Sequence, residues 1–276
     1  MERAEASQIA HATVAILEQG FYGSPAGNTI IIADDTARAV ANTVSYPPGS
    51  ELPTPEARYP ATTFDVVNQT TLAAARQLAE QLTAQGEVPA ALNFASAKRP
   101  GGGFLNGALA QEESLARASA LYACLLGNPM YTYHRQLRDS LYSDYAIYSP
   151  AVPVFREDDG TLLETPYPCA FITSPAVNAG AHANRSRGRR RRIPDIMQGR
   201  VELVLKVAAA HGHSALVLGA WGCGVFGNDP ALIARLFGAA LKETYRGVFA
   251  QVIFAVLDHS EDERFIGPFR DEFAAR

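Results

Sequence analysis

The stretch that decides the fold is residues 92–119, LNFASAKRPGGGFLNGALAQEESLARAS. Its apolar start predicts a buried strand that leads into a loop. A glycine triplet and then a polar triplet at the start of a predicted helix follow: Gly101, Gly102, Gly103, Gln111, Glu112 and Glu113. Glycine lets a backbone approach a ligand closely, and loop amides ahead of a helix can hold a phosphate group. The stretch predicts either a ligand-binding loop with two carboxylates or a tight turn before a solvated helix.

The rest of the chain alternates between the periods of strands and helices. The predicted strands cover residues 28–33, 63–67, 88–94, 146–155, 169–174, 215–219 and 248–257. The predicted helices cover residues 2–19, 34–42, 70–85, 194–211, 230–245 and 261–273. This alternation predicts an α/β fold with helices on both faces of a parallel or mixed sheet. Residues 45–60 hold five prolines and a glycine, so we expect a loop between an N-terminal extension, 1–60, and a main domain, 61–276.

Composition limits the possible functions. With 276 residues, 47% of them hydrophobic and 19% charged, the chain can bury a sizeable core. A net charge of −4 argues against direct nucleic-acid binding, which needs a basic face. Three separated cysteines and the lack of a long apolar run predict a soluble, cytoplasmic protein with free thiols and no membrane contact. The six histidines form no ligand set, so we expect neither a metal nor a cofactor.

A second glycine loop, GAWGCGVFG, occupies residues 219–227 between a predicted strand and a predicted helix. Its core residues are Gly222, Cys223, Gly224, Val225, Phe226 and Gly227. Open α/β sheets bind ligands at the carboxyl ends of their strands, so two such loops imply a phosphate-rich ligand held from two sides. The core also satisfies GxGxxG, which leaves a dinucleotide-binding protein as an alternative. Only one further predicted strand follows this loop, which counts against that alternative.

The two loops together resemble the signature of poly(ADP-ribose) glycohydrolases, most closely of the microbial branch, over residues 62–258. The resemblance implies a macrodomain-like three-layer α/β/α sandwich with a mixed central sheet and an N-terminal helical extension over one end of the cleft. It also implies hydrolysis of ribose–ribose O-glycosidic bonds in poly(ADP-ribose) or on ADP-ribosylated proteins, release of ADP-ribose, and a role in the DNA damage response. One departure is Ser96, because animal members have an asparagine there. A non-catalytic ADP-ribose-binding module is the alternative, although it needs no paired glutamates.

Within this resemblance, the expected roles divide between the two glutamates. Glu113 protonates the leaving oxygen and then activates water, whereas Glu112 holds ribose hydroxyls. Adjacent helix positions diverge by about 100°, so the pair is not expected to flank one bond as in other glycosidases. Gln111 supports the loop or contacts substrate. The first glycine loop, residues 95–110, positions diphosphate and ribose; the second loop wraps the diphosphate, and Phe226 packs against a ribose.

Two further features have two interpretations each. Residues 185–192, RSRGRRRR, contain six arginines and form either a solvated loop or a site for a polyanion. A tyrosine-rich stretch includes Tyr122, Tyr131, Tyr133, Tyr142, Tyr145 and Tyr148. Scattered tyrosines of this kind are more often half-buried packing residues than a binding surface.

Overall fold

The structure is a computed structural model that describes residues 1–137, 139–182 and 191–274. Its strands are β1 (Phe21–Gly23), β2 (Thr29–Ile31), β3 (Val44–Tyr46), β4 (Thr63–Val67), β5 (Ala90–Phe94), β6 (Ala146–Arg156), β7 (Leu162–Ser174), β8 (Ala215–Leu218) and β9 (Gln251–Ala255). Its α-helices are α1 (Arg3–Gln19), α2 (Ala33–Ala41), α3 (Thr71–Leu82), α4 (Gln111–Ala118), α5 (Leu121–Leu125), α6 (Pro129–Leu137), α7 (Ile193–Ala210), α8 (Pro230–Lys242) and α9 (Gly267–Phe273).

Seven strands form a mixed central sheet in the order β3-β6-β7-β5-β8-β9-β4. The strands from β7 to β4 in this order run parallel, whereas β6 is antiparallel to β7 and β3 to β6. The register places Leu92 beside Ile172 and Val217 beside Ile253. The carboxyl ends of the parallel strands therefore share one edge, which is where open α/β sheets bind their ligands.

The sheet separates two hydrophobic cores. On one face, Leu92 and Leu216 pack with residues of α7, α8 and α9. On the other face, Ala91 and Val217 pack with residues of α1 to α6. Successive side chains of a strand point to opposite faces, so the buried strands supply both cores and consist almost entirely of apolar residues. Helices on both faces confirm the predicted three-layer α/β/α class.

Helix α3 illustrates how local sequence forms these elements. The Thr70 side chain accepts a hydrogen bond from Ala73 N at 3.1 Å and so caps the helix. An apolar stripe faces the sheet and includes Leu72, Ala75, Leu78 and Leu82. A 3-10 turn, Thr83–Gln85, completes the predicted helical segment, which ends at Gly86 with a φ of +69°. A glycine in this left-handed region is a common end of a helix.

The prediction of a loop over residues 45–60 is wrong at its start. Strand β3 pairs with β6 at the edge of the central sheet, aligning Tyr46 with Ala146. Three residues give too short a pattern for a strand to be predicted from sequence, and their partner lies a hundred positions away in the chain. The central sheet therefore includes residues that precede the expected boundary at residue 60.

Two other elements differ from the prediction by six or more residues at one end. Strand β7 begins at Leu162 rather than at residue 169, even though Pro166 and Pro168 are unfavourable inside a sheet. The pairing with β6 shifts register between Val154 and Arg156, opposite the segment that contains Pro166, whereas Pro168 lies opposite another proline, Pro153. Helix α9 begins at Gly267 rather than at residue 261, because the Asp258 carboxylate accepts hydrogen bonds from the loop residues that come before it.

The cysteines agree with the prediction: Cys124, Cys169 and Cys223 are buried free thiols. Burial raises the pKa of Cys124 to about 11, because the low-polarity surroundings disfavour the charged thiolate. Within the described ranges, no helix combines the length and the apolar character that a membrane crossing requires. Most of the arginine run, residues 185–190, lies outside the described residues.

Candidate active site

Gln111 fixes the start of α4 to the carboxyl end of β5. Its Oε1 accepts a hydrogen bond from Phe94 N at 2.9 Å, and its Nε2 donates to Leu92 O at 2.8 Å. The same Nε2 donates to Thr71 Oγ1 at 3.1 Å, which adds the first turn of α3. These contacts make Gln111 a support of the loop, and Gln111 also lines the cavity described below. The two residues that follow it are directed to the ligand-binding edge of the sheet.

The two glutamate carboxylates hold the two ends of the glycine-rich segment. Glu112 Oε2 accepts a hydrogen bond from Ser96 N at 2.6 Å, and Glu113 Oε1 accepts one from Gly103 N at 2.9 Å. Both side chains are largely enclosed, with exposures of 3% for Glu112 and 9% for Glu113. Backbone N–H groups that donate to carboxylates form strong, charge-assisted bonds. The loop and the glutamates therefore fix each other's position.

Gly102 explains the requirement for glycine in this loop. Its φ is +61°, and a Cβ added there would lie 2.3 Å from Glu113 Oε1 and 2.9 Å from Glu112 Oε2. Both carboxylates therefore converge on one residue, although adjacent helix positions diverge by about 100°. The Glu112 side chain reaches Ser96 at one end of the glycine-rich segment, and the Glu113 side chain reaches Gly103 at the other end. Because the loop folds back, both ends lie close together, which helix geometry alone does not predict.

The Glu112 carboxyl lies in surroundings that disfavour its charge. Burial raises the pKa of Glu112 well above its ordinary value, and the charge of Glu113 acts in the same direction. The N–H of Ser96 opposes this shift because it stabilises the ionised form, and the Asn93 side chain and the Gly101 backbone act in the same way to a smaller extent. Glu112 Oε1 is buried and has no hydrogen-bond partner among the described residues. One oxygen of Glu112 is thus available to a ligand hydroxyl.

A cavity of about 450 Å³ lies at this edge of the sheet, and the two glycine loops form part of its wall. Of the predicted site residues, the wall contains Ser96, Gln111, Glu112, Glu113, Gly222, Cys223, Gly224, Val225 and Phe226. The remaining four are not part of the wall that the described residues form: Gly101, Gly102, Gly103 and Gly227. Within the glycine triplet, Gly102 instead lies against both carboxylates, and Gly103 N donates a hydrogen bond to Glu113.

The second glycine loop has a fixed base and an open tip. At its base, Gly222 has a φ of +73°, and a Cβ there would lie 2.5 Å from both Ala176 Cβ and Asn228 Nδ2. Asn228 Nδ2 donates to Gly222 O at 3.1 Å and to Val177 O at 2.8 Å. At the tip, a Cβ added to Gly224 would meet no atom within 4 Å. Backbone amides at the tip are accordingly free to approach a ligand.

Several wall residues were not identified from the sequence: Gln69, Thr70, Leu109, Asp158, Leu257 and Phe265. Gln69 and Thr70 follow β4, so the rule that ligands bind beyond strand ends could have indicated them. Asp158 lies in the turn between β6 and β7, and its Oδ2 accepts a hydrogen bond from Thr70 Oγ1 at 2.5 Å. No motif marks that turn, because only the fold brings it to the cavity.

The N-terminal helix α1 contacts the first glycine loop from behind. Arg3 Nε donates to Asn106 O at 2.9 Å, and Ser7 Oγ donates to Leu105 O at 2.7 Å. Gly107 allows this contact, because a Cβ there would lie only 1.9 Å from Arg3 O. None of the described residues that line the cavity belongs to segment 1–60. In this structure the extension supports the loop that holds Glu113.

The chain is similar to a known protein family and to solved structures. The family model described as microbial-type PARG, catalytic domain, matches residues 10–157. No curated protein gives a significant match.

Among the described residues, no group of three histidine, cysteine, aspartate or glutamate side chains could hold a metal ion.

Solved structures extend the similarity over nearly the whole chain. Poly(ADP-ribose) glycohydrolase from Thermomonospora curvata is 47% identical, with 97% of this chain and 99% of that chain covered and a TM-score of 0.90. The same protein bound to the inhibitor ADP-HPD gives 47% identity, the same coverage and a TM-score of 0.87. The Deinococcus radiodurans enzyme in complex with ADP-ribose gives 42% identity, coverage of 87% and 97%, and a TM-score of 0.78. With its macrodomain-like fold, the chain belongs to the microbial-type poly(ADP-ribose) glycohydrolases, which are glycosidases acting on poly(ADP-ribose).

Proposed function

We propose that the cavity holds the end unit of poly(ADP-ribose) and that Glu113 is its general acid and base. The observation that carries this assignment is the placement of two enclosed carboxylates in the same cavity wall as the open tip of the second glycine loop. A relative bound to ADP-ribose and another bound to an inhibitor support the choice of ligand. The family assignment also leaves no reason to retain the dinucleotide-binding alternative.

In the proposed reaction, the protonated Glu113 carboxyl donates its proton to the oxygen that links two riboses. The bond between that oxygen and the anomeric carbon breaks, and the leaving ribose departs with a hydroxyl group. The Glu113 carboxylate then accepts a proton from a water molecule whose oxygen bonds to the anomeric carbon. The products are ADP-ribose and a polymer shortened by one unit, and Glu113 is protonated again.

Glu112 is proposed to orient the ribose whose bond is broken. Its Oε2 is occupied by Ser96 N, whereas its buried Oε1 has no partner among the described residues. A buried polar atom without a hydrogen bond is unfavourable, so a ribose hydroxyl at Oε1 removes that penalty when substrate binds. Ser96 takes part through its backbone N–H, and its hydroxyl accepts from Lys98 N and Arg99 N instead.

The diphosphate is proposed to lie against the second glycine loop. No lysine or arginine side chain occurs among the described residues that line the cavity. Neutralisation of phosphate charge is then proposed to come from the backbone N–H groups of this loop. Phe226 supplies an apolar surface for the adjoining ribose. The first glycine loop contributes through the carboxylates that it holds.

We propose that the substrate is poly(ADP-ribose), free or on modified proteins, and that the enzyme acts in the cytoplasm during the DNA damage response. Residues 1–60 and 61–276 are proposed as the extension and the catalytic domain.

The arginine run, residues 185–192, is proposed to bind distal polymer. Replacing its arginines with serine should reduce the salt dependence of polymer binding, because fewer cations contact phosphate.

The test of the proposed function is incubation of the protein with poly(ADP-ribose), followed by chromatography of the products. We expect free ADP-ribose to accumulate with time. If ADP-ribose binds tightly and none is released from polymer, the protein is a binding module rather than an enzyme.

A further inference from the structure

The proposed function places the polymer beyond the cleaved bond on one side of the cavity. Gln111 and Glu112 are fixed to the end of β5, whereas Gln69 and Phe265 line the part of the cavity beyond β4 and β9. If Glu113 acts on the bond, as the proposed function holds, the released unit fills the part over β8, β9 and β4. The next unit then lies on the opposite side of β5, over the end of β7 and the start of β6.

That side of the molecule carries an aromatic cluster, which consists of Tyr133, His134, Tyr142, Tyr145 and Phe226. The Tyr142 ring centroid lies 6.1 Å from that of Phe226 and 5.6 Å from that of His134. Tyr133 lies 5.8 Å from Tyr145, and Tyr145 directly precedes β6. The cluster therefore extends from the cavity wall at Phe226 to the start of β6. Tyr133 is 41% exposed and Tyr142 is half-buried.

Tyr142 has an unusual backbone conformation for its side chain. Its φ is +57°, a left-handed value that glycine or asparagine adopts at lower energy. Backbone strain of this kind persists where the surroundings or the function require it. The turn places an aromatic ring beside Phe226, which itself lines the cavity.

We propose that Tyr142 and Tyr133 form a subsite that stacks the adenine of the polymer unit next to the cleaved bond. The leaving ribose of poly(ADP-ribose) is an adenosine ribose, so its adenine is held one sugar away from the oxygen that Glu113 protonates. Aromatic side chains bind bases by stacking, which strengthens binding on the order of 5- to 150-fold per base. Such a subsite favours polymer over free ADP-ribose, which has no second adenine. The product would therefore compete less well with the substrate.

The test compares ADP-ribose with a two-unit fragment of the polymer, bound to the Glu113→Gln protein so that neither ligand is cleaved. Tyr142→Gly removes the ring and the backbone strain together, and Tyr133→Ser removes the more exposed ring. Each change should weaken binding of the two-unit fragment by about fivefold or more while ADP-ribose affinity changes less than about twofold. Tyr142→Phe should retain the affinity for both ligands.

A matched control is Phe21→Ser, which removes a ring of similar exposure, 45%, on strand β1 and should change neither affinity. Equal weakening of both ligands by Tyr142→Gly would show that Tyr142 only supports Phe226, and that result overturns the proposal. Unchanged binding of the fragment in both tyrosine variants overturns it as well. Loss of all ADP-ribose binding in the Glu113→Gln parent would instead contradict the proposed function.

Discussion

Gly102 leaves the space that Glu113 occupies: a Cβ at this glycine would lie 2.3 Å from Glu113 Oε1. Gly102→Ala must therefore displace the carboxylate or the loop. A displacement of about 1 Å at a catalytic group lowers activity by about 10²-fold, which is the loss of kcat that we expect. The control is Gly86→Ala, which has a similar φ of +69° but no atom within 4 Å of the added Cβ. It should lose stability and keep its kcat.

The contacts of Gln111 predict a loss of stability when its amide is removed. Gln111→Leu leaves Phe94 N and Leu92 O without their partner, and an unsatisfied buried backbone group costs about 1–3 kcal/mol. The free energy of unfolding, measured with urea, should fall by about 2–4 kcal/mol. Gln198→Leu is the matched control, because the side chain of Gln198 bonds, among the described residues, to Glu202 on the exposed surface of α7. A similar effect of both changes would contradict the supporting role.

The raised pKa of Glu112 predicts that the difference in stability between the wild type and Glu112→Gln depends on pH. The pKa of Glu112 is raised in the folded protein. The contribution of this carboxyl to stability is therefore fully present below its unfolded pKa of about 4.3 and is lost as the pH rises toward its folded pKa. Glu112→Gln cannot ionise and should have a higher Tm than the wild type at pH 7.5. The difference should vanish near pH 4. Glu18→Gln, an exposed control, should show no such trend, and a constant Tm difference for Glu112→Gln would contradict the prediction.

Two glycines of the second loop should separate binding from folding. Gly224→Val places its side chain in open space, so we expect unchanged Tm and loss of ADP-ribose binding by calorimetry. The valine side chain of Gly222→Val would collide with Ala176 and Asn228, so this variant should have a lower Tm and should also lose ADP-ribose binding. Full ADP-ribose affinity in Gly224→Val would mean that the loop tip does not contact the ligand.

Much of the fold follows from local patterns in the sequence. Strand β5, helix α3 and the alternation of strands and helices were predicted because each contains a complete period of apolar residues. Strand β3 and the first half of β7 were not, because their pairing with β6 depends on residues far away in the chain. Short patterns and internal prolines carry too little local information to indicate such pairing.

The site was predicted to a similar extent. Both glycine loops and the glutamate pair have recognisable sequence patterns at strand ends, and the structure places them around one cavity. Asp158 and Phe265 reach the same cavity from a turn and a loop without any motif. The convergence of Glu112 and Glu113 on Gly102 depends on the folded path of the loop, which helix periodicity does not describe.

The most direct test of the central claim is the kcat of Glu113→Gln on poly(ADP-ribose), measured together with its Kd for ADP-ribose. Glutamine keeps the size of the side chain and can still accept a hydrogen bond from Gly103 N, but it cannot donate the proton that the leaving oxygen requires. We predict that kcat falls by about 10²–10⁴-fold while the Kd stays within about threefold of the wild type. Near-normal turnover by Glu113→Gln would contradict the assignment of Glu113 as the general acid.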